Sequence, residues 1–439
     1  MTTRLDPPQP VLDIAARLER AGYETWCVGG AVRDALLGHP HLDWDLATAA
    51  KPSEVQALFR RTVPVGIEFG TVGVLDRAGT LHEVTTFRRD VKTDGRHAVV
   101  EFGASLDDDL ARRDFTINAI AWSPSRKELR DPFDGQHDLA ARVVRAVGDP
   151  DARMEEDRLR ALRAIRFASR FDFEFDPATW SAIVSSAPHM GRLSAERVKQ
   201  EIEKTMEQVA RPSRAFALWR DSGAFATLIP ALATTSDTDL AAIDAAPRPL
   251  PGPRSSERRL TRLTLLFLSL RPSDATRTLT ALRFSKLDTA WISALVERWL
   301  VVGGPMREQL MAGAVPDVAI RRWVAAAGRT RIGALLRVAA ARWSADRAAG
   351  RDAPGALAVK QLARRAITIA FRDPVDLSDL AVDGDDLRRA GFVPGPALGK
   401  ILNALLDWVL EDPARNVPDL LIARASELRE EMNDRRGPG

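Results

Sequence analysis

Asp43 and Asp45 flank a single tryptophan. On an extended strand this spacing points both carboxylates to one face. Paired carboxylates suit a hard divalent cation, and Mg2+ is commonly held by one or two of them together with substrate phosphates. Upstream, the apolar run Trp26-Cys27-Val28 leads into Gly29-Gly30 and at once into helix-forming residues. Glycines let backbone N–H groups close on a phosphate without an intervening Cβ, and a helix N-terminus adds partial positive charge. A double glycine by itself also makes an ordinary tight turn. Arg33, on the first turn of the helix, adds a guanidinium that fits a triphosphate. Its alternative role is an ion pair with Asp34 or Asp45. A phosphate turn followed by a two-carboxylate metal clamp describes nucleotidyl transfer. Glu83, which shares a face with Thr85 and Phe87 on the run 81–87, adds a third carboxylate if that strand neighbours the aspartates. Otherwise it pairs with Arg88.

Two later clusters extend the same chemistry. Arg112-Arg113-Asp114-Phe115-Thr116-Ile117-Asn118-Ala119 places two arginines, an acid and an amide beside apolar residues. Arg113 is read as a contact to nucleotide phosphate or ribose, with Asp114 holding that arginine or accepting from a ribose hydroxyl. The competing reading is an interdomain salt-bridge network. From Glu156 to Phe167 the pattern is helical, with Asp157, Arg160, Arg163 and Arg166 at every third residue beside an apolar stripe of Leu159, Leu162 and Ile165. Arg158 to Arg170 holds five arginines and no acid. Either this is a solvated face, or an anionic partner relieves the self-repulsion. Asp157 accepts hydrogen bonds and Arg160 donates them. Such a pair suits the Watson–Crick edges of cytosine and adenine, and leaves polar groups unpaired against guanine and uracil.

The elements that position these residues follow from periodicity. Residues 11–21, 30–38 and 53–61 read as helices, and 24–28, 42–47, 62–65, 71–75 and 81–87 as strands, giving an α/β domain over roughly the first 145 residues. From Met154 onward the pattern is mainly helical. Residues 234–258 and 345–355 read as loops, and the last five residues as a frayed tail. A chain of 439 residues, 45% of them hydrophobic, is too long for one core and implies several domains. The formal net charge of +3 requires any basic surface to be local. A single cysteine, Cys27, excludes a disulfide framework, suits a reducing cytosol and is expected to be buried in its strand. The N-terminus carries no apolar signal core and the run Leu263 to Leu270 is too short to span a bilayer, so a soluble cytoplasmic protein is expected. The six histidines make no zinc spacing.

On these motifs the chain resembles the bacterial CCA-adding tRNA nucleotidyltransferases, in the class II subgroup shared with bacterial poly(A) polymerases. The matching segments, in the family's order over about the first 210 residues, are Gly29 to Asp34, Asp43-Trp44-Asp45, Glu83 to Arg88, Arg112 to Ala119, Asp131-Pro132-Phe133-Asp134-Gly135, Glu156 to Phe167, and Glu196-Arg197 with Glu201 and Lys204. A weaker echo runs from Leu380 to Leu387 and from Gly395 to Lys400. The resemblance implies an α+β protein: a nucleotidyltransferase palm head at 1–149, then an all-helical neck at 150–215, body at 216–345 and tail at 346–439. It implies addition of C, C and A to tRNA 3′ ends from CTP and ATP without a nucleic-acid template, with Mg2+ as cofactor and tRNA as partner. No membrane and no protein partner is implied. By matching positions, Asp43 and Asp45 hold the metal, with Glu83 as third carboxylate. Gly29, Gly30, Arg33 and Arg113 bind triphosphate and ribose, and Asp157 and Arg160 read the base, supported by Arg163 and Arg166. Arg88, Asp90, Asp94, Gly95 and Arg96 resemble the loop needed for adding A, although Lys92-Thr93 stands where an aromatic is expected. Few aromatics argue against base stacking along single strands, so Lys199, Lys204, Arg211 and Arg214 are candidate contacts to a folded duplex arm. The alternatives are an A-only enzyme or poly(A) polymerase and, from another class, a non-catalytic RNA-binding protein.

Overall fold

A seven-stranded mixed sheet organises the N-terminal part of the chain. The computed structural model describes residues 5–39, 43–93, 98–247 and 255–434. Helix α1 (Gln9–Arg20) leads into β1 (Thr25–Val28), and α2 (Gly30–Leu36) follows the glycine turn directly. Next come β2 (Asp45–Thr48), α3 (Pro52–Leu58), β3 (Thr62–Gly66), β4 (Thr71–Leu75) and β5 (Leu81–Thr86). A separate antiparallel hairpin, β6 (Arg88–Thr93) with β7 (Ala98–Phe102), precedes α4 (Leu106–Ala111). Strands β8 (Ala121–Ser123) and β9 (Glu128–Arg130) complete the sheet in the order β3-β4-β5-β2-β1-β8-β9. The hairpin occupies the stretch matched to the A-adding loop. Asp94, Gly95 and Arg96 lie outside the described residues, as do Leu42, Pro249, Pro251, Pro253 and the last five residues.

The two faces of the sheet differ in cover. Leu46, Val72, Val74 and Val84 share one buried face, and their strands meet α1 and α3. On the other face Trp26, Val28, Ala47 and Ala121 pack with Leu106 and Leu110 of α4. Cys27 is fully buried in β1, as its strand setting implies. A helix α5 (Gly135–Ala141) follows β9. Here a methyl group on Gly135 would lie 2.2 Å from the Thr116 carbonyl oxygen and 2.8 Å from Ile120. Backbone cannot yield as a side chain does, so Gly135→Ala is expected to destabilise the protein by about 1–3 kcal/mol. A thermal melt of the purified variant measures this.

Beyond the sheet the described chain turns largely helical, with a two-residue parallel pairing of β10 (Val143–Val144) and β11 (Glu174–Phe175). Helix α6 (Pro150–Glu156) stops before Asp157, which is extended at φ −152° and ψ 102°, and α7 runs over Leu159–Phe171. The expected continuous helix from Glu156 is therefore broken, and Asp157 stands at the break. Its carboxylate accepts from the Leu159 N–H and so helps to start α7. Helices α8 (Pro177–Ser186), α9 (Ala195–Gln208) and α10 (Pro212–Asp221) follow.

The chain divides into two compact units, Met1–Ala233 and Thr234–Gly439. The second is helical throughout its described residues, from α11 (Asp237–Asp244) and α12 (Ser255–Phe267) to the last helix at Pro418–Asp434. Its core is built around Trp323, Leu335, Trp343 and Leu362, with a further cluster around Leu387, Leu405 and Leu421. The expected loop at 234–258 thus contains a helix, which Ser236 caps by accepting from the Asp239 N–H. The helix covering Ile332–Ala348 likewise runs into the start of the expected loop at 345–355. No helix among the described residues is long and apolar enough to cross a membrane.

Candidate active site

Asp45 opens β2 beside the glycine turn. Gly29 has φ 76°, and a Cβ there would lie 3.2 Å from Arg113 Nη1 and 3.9 Å from Asp45 Oδ2. The positive φ favours glycine here, and a side chain would also have to displace the tip of Arg113. Asp43 lies outside the strand and is exposed, unlike the expected strand position. Glu83 is brought to the couplet by pairing: β5 runs parallel to β2 with Leu46 opposite Val84, which sets Asp45 beside Glu83. Burial, then the charges of Asp43 and Glu83, push the Asp45 carboxyl up to about 7, against the pull of Arg113. Asp45 thus bears the repulsion of two further acids, which Arg113 only partly offsets. Among the described residues, no group of three or more His, Cys, Asp or Glu side chains could hold a metal by itself. A cation here needs oxygens from substrate as well.

A cavity of about 470 Å³ opens on this point. Gly29, Gly30, Arg33, Asp45 and Arg113 line one part of it; Asp157, Arg160 and Arg163, with Phe167, line another. The turn, one member of the acid couplet and the arginine-bearing helix therefore share one space. Glu83 stands beside Asp45 and outside the cavity lining. Arg113 donates to Asp109 at 3.1 Å and to the Asn118 carbonyl at 3.4 Å, while its buried Nε has no hydrogen-bond partner. Arg113 itself lines the polar cavity, where a guanidinium suits an anionic ligand. Arg33 is more fully engaged. Its guanidinium bonds Asp34 and, at 2.5 Å, Asn118 Oδ1, and it lies against the rings of Phe167 and Phe171. The ion pair with Asp34 is the alternative that the structure realises.

The arginines of α7 find their counter-charges within the protein. Arg158 pairs with Glu155, Arg160 with Glu156 at 2.6 Å, Arg163 with Asp114 at 2.7 Å, Arg166 with Glu201 at 2.7 Å and Arg170 with Asp34 at 3.0 Å. Neither a solvated face nor a bound anion is needed to relieve their repulsion: acids from α6, the 114 loop, α9 and α2 do so. Asp114 does not hold Arg113, as was expected; Asp109 does. Burial disfavours the Asp114 charge, but Arg163, the Asn118 amide and Arg160 overcome it and hold the carboxyl at about 2. Arg166, expected to support base reading, does not line the cavity and is almost fully buried against Glu201. Glu201→Ala leaves that guanidinium buried without its acid, and is expected to lower stability by about 3–5 kcal/mol. A denaturant titration measures the loss, and nucleotide selectivity in the surviving folded protein stays unchanged.

Asp157 accepts from Arg197 at 2.7 Å, and Arg160 also donates to the Arg112 carbonyl at 3.2 Å. Arg112, Asn118 and Arg197 line the cavity and Asp109 sits behind it, yet none was singled out as a site residue. Asp109 was legible as an acid four residues before Arg113 on a helix. Arg197 lies in the matching segment Glu196-Arg197, but its pairing with Asp157, 40 residues away, has no local spacing to show it. The neck candidates are paired: Arg211 and Arg214 with Asp172, Arg214 also with Glu174, and Lys199 and Lys204 at 3.9 Å from Glu203 and Glu201.

Comparison with known proteins matches residues 25–145 to the Poly A polymerase head domain and residues 172–235 to the probable RNA and SrmB-binding site of polymerase A. The CCA-adding enzyme of Limosilactobacillus fermentum is 33% identical over 431 residues, covering 98% of each chain. The Bacillus stearothermophilus CCA-adding enzyme in complex with CTP superposes with a TM-score of 0.73 at 30% identity, covering 97% of this chain and 98% of that one. The Thermotoga maritima CCA-adding enzyme complexed with tRNA shares the fold, with a TM-score of 0.66 at 20% identity and 96% of each chain covered.

Proposed function

Because this chain belongs to the family of CCA-adding enzymes, we propose that its head cavity adds C, C and A in turn to the 3′ end of tRNA, from CTP and ATP and without a template. The observation that carries this reading is one cavity bordered by Asp45, by the glycine turn with Arg113, and by an acceptor–donor pair at Asp157 and Arg160. The protein works in the cytoplasm, where its substrates are. The functional division is head 1–149, neck 150–215, body 216–345 and tail 346–439, with tRNA contacts in the helical parts.

Enzymes of this family generally use a divalent metal. The donors here are hard oxygens crowded by like charge, which fits Mg2+. Asp43 and Asp45 would hold it, with Glu83 adding negative charge beside them. The chemistry supplied by such a cation is a lowered pKa for the attacking 3′-hydroxyl and neutralisation of charge on the departing pyrophosphate. The protein's own groups supply placement. Gly29 and Gly30 bring backbone N–H groups to the triphosphate, and the Arg113 guanidinium, which lines the same cavity, adds positive charge beside that anion. Arg33, fixed by Asp34 and Asn118, braces the turn from below. Asp157 and Arg160 face the base edge, and Asp114 fixes Arg163 behind them. In-line attack on the α-phosphate then depends mainly on position and charge.

The test uses tRNA lacking its terminal triplet, incubated with CTP, ATP or both, with products sized at single-nucleotide resolution. Two added residues with CTP alone and three with both nucleotides are expected. A single A added only to tRNA already ending in CC, or a long A tail, overturns the reading.

A further inference from the structure

The cavity occupies one flank of Asp45, towards β1; the other flank has an unexplained surface. Glu83, Leu81 and Thr85 alternate with buried His82, Val84 and Thr86 along β5, so they share the face opposite the helix-covered one. Register carries that face outward: Glu83 lies opposite Gly73, Thr85 opposite Thr71, and Gly73 opposite Val63. A Cβ at Gly73 would fall 2.4 Å from Leu81 and 2.9 Å from Val65, so those two side chains fold over the glycine. The result is a shallow apolar shelf. Leu81, Val63 and Val65 remain 40%, 38% and 42% exposed. The α4 cover that buries Trp26, Val28 and Ala47 on this same face does not extend to them. Where Thr71 meets Thr85, two hydroxyls are hydrogen-bonded at 3.0 Å.

We propose that this shelf seats the terminal nucleoside of the tRNA 3′ end, with Leu81, Val63 and Val65 as positioning residues. The proposal rests on the CCA-adding reading. In-line displacement requires the attacking hydroxyl and the departing pyrophosphate on opposite sides of the α-phosphate. With the triphosphate against the glycine turn on the β1 side of Asp45, the primer approaches from the β5 side, and the shelf is continuous with Glu83 there. Its chemistry also fits. Successive primers end in three different ways: the unextended tRNA, then C, then CC. Their seat must therefore ignore base identity, unlike the cavity with Asp157 and Arg160. Aliphatic side chains offer no hydrogen-bonding group to tell one base edge from another, and make van der Waals contact with any base or ribose face. Pairing of another strand along the exposed edge is disfavoured, because Pro64 in the edge strand β3 removes a ladder donor.

The test compares full-length wild type with Leu81→Ser/Val65→Ser and with the conservative Leu81→Met/Val65→Ile. Each is assayed on tRNA primers lacking three, two or one terminal residue. The serine variant is expected to raise the KM for all three primers by about 10-fold, with CTP affinity in the absence of tRNA and melting temperature unchanged. The conservative variant should restore the wild-type KM. An unchanged primer KM in the serine variant overturns the seat, as does an effect on one primer only or a matching loss of CTP affinity. A wild type that adds nothing to any primer refutes instead the CCA-adding reading beneath it.

Discussion

Asp45→Asn abolishes nucleotide incorporation and at the same time stabilises the metal-free protein. Incorporation falls because the variant loses a charged oxygen ligand at the point where transition-state charge gathers. Metal-assisted charge stabilisation amounts to several kcal/mol, so a loss of about 10³- to 10⁵-fold is expected in single-turnover extension of tRNA. tRNA binding, measured separately, stays near wild type. Stability moves the other way because the carboxylate is largely desolvated and repelled by Asp43 and Glu83. The unfolded chain ionises near 3.8, while the folded protein holds the proton up to about 7. The penalty is therefore absent below the unfolded value, grows as pH rises between the two, and is complete above 7. Melting in EDTA at pH 8 should show the variant above wild type, by an amount on the order of a few kcal/mol. Added Mg2+ should raise the wild-type melting temperature and leave that of Asp45→Asn unmoved. A variant that retains turnover, or that melts below wild type in EDTA, removes the metal assignment.

Asp157→Ala with Arg160→Ala relaxes nucleotide choice. A site built to hydrogen-bond a base rejects the wrong edge because its own buried groups are left unpaired, an effect of about 100-fold or more. The ratio of kcat/KM for CTP over UTP, and for ATP over GTP, should fall by roughly that factor. Both residues are engaged in the protein alone, Asp157 with Arg197 and Arg160 with Glu156. A correct base must therefore exchange these partners for its own edge, and an incorrect one cannot repay the exchange. Arg197→Ala should consequently weaken discrimination less than loss of Asp157 itself, since it frees the acceptor and leaves it present. Equal selectivity in wild type and the double variant would discard the base-reading role.

Much of this site was visible as local pattern. The Gly29-Gly30 turn follows from apolar residues running into glycine and then helix, and the backbone at Gly29 has the positive φ that such a turn needs. Glu83 was legible as a candidate, but only the parallel pairing of β5 with β2 brings it beside Asp45. The helix at Asp237–Asp244 was overlooked because polar residues and prolines outweighed a capping signal at Ser236 and Asp239. The arginines of α7 are harder to read from the sequence. Arg163, Arg166 and Arg170 have no acid near them along the chain, because their partners Asp114, Glu201 and Asp34 lie far away in sequence.

The chain's order of residues determines where glycine, acid and arginine stand along each element, since backbone freedom and side-chain period are local properties. It therefore determined the glycine turn, the acid couplet and the largely helical character of the described chain after the head sheet. Which charges meet was decided only in three dimensions. Ion pairing depends on distance through space, and the fold alone determines that Arg166 spends its charge on Glu201 in the interior while Arg113 keeps a buried donor free of any protein partner.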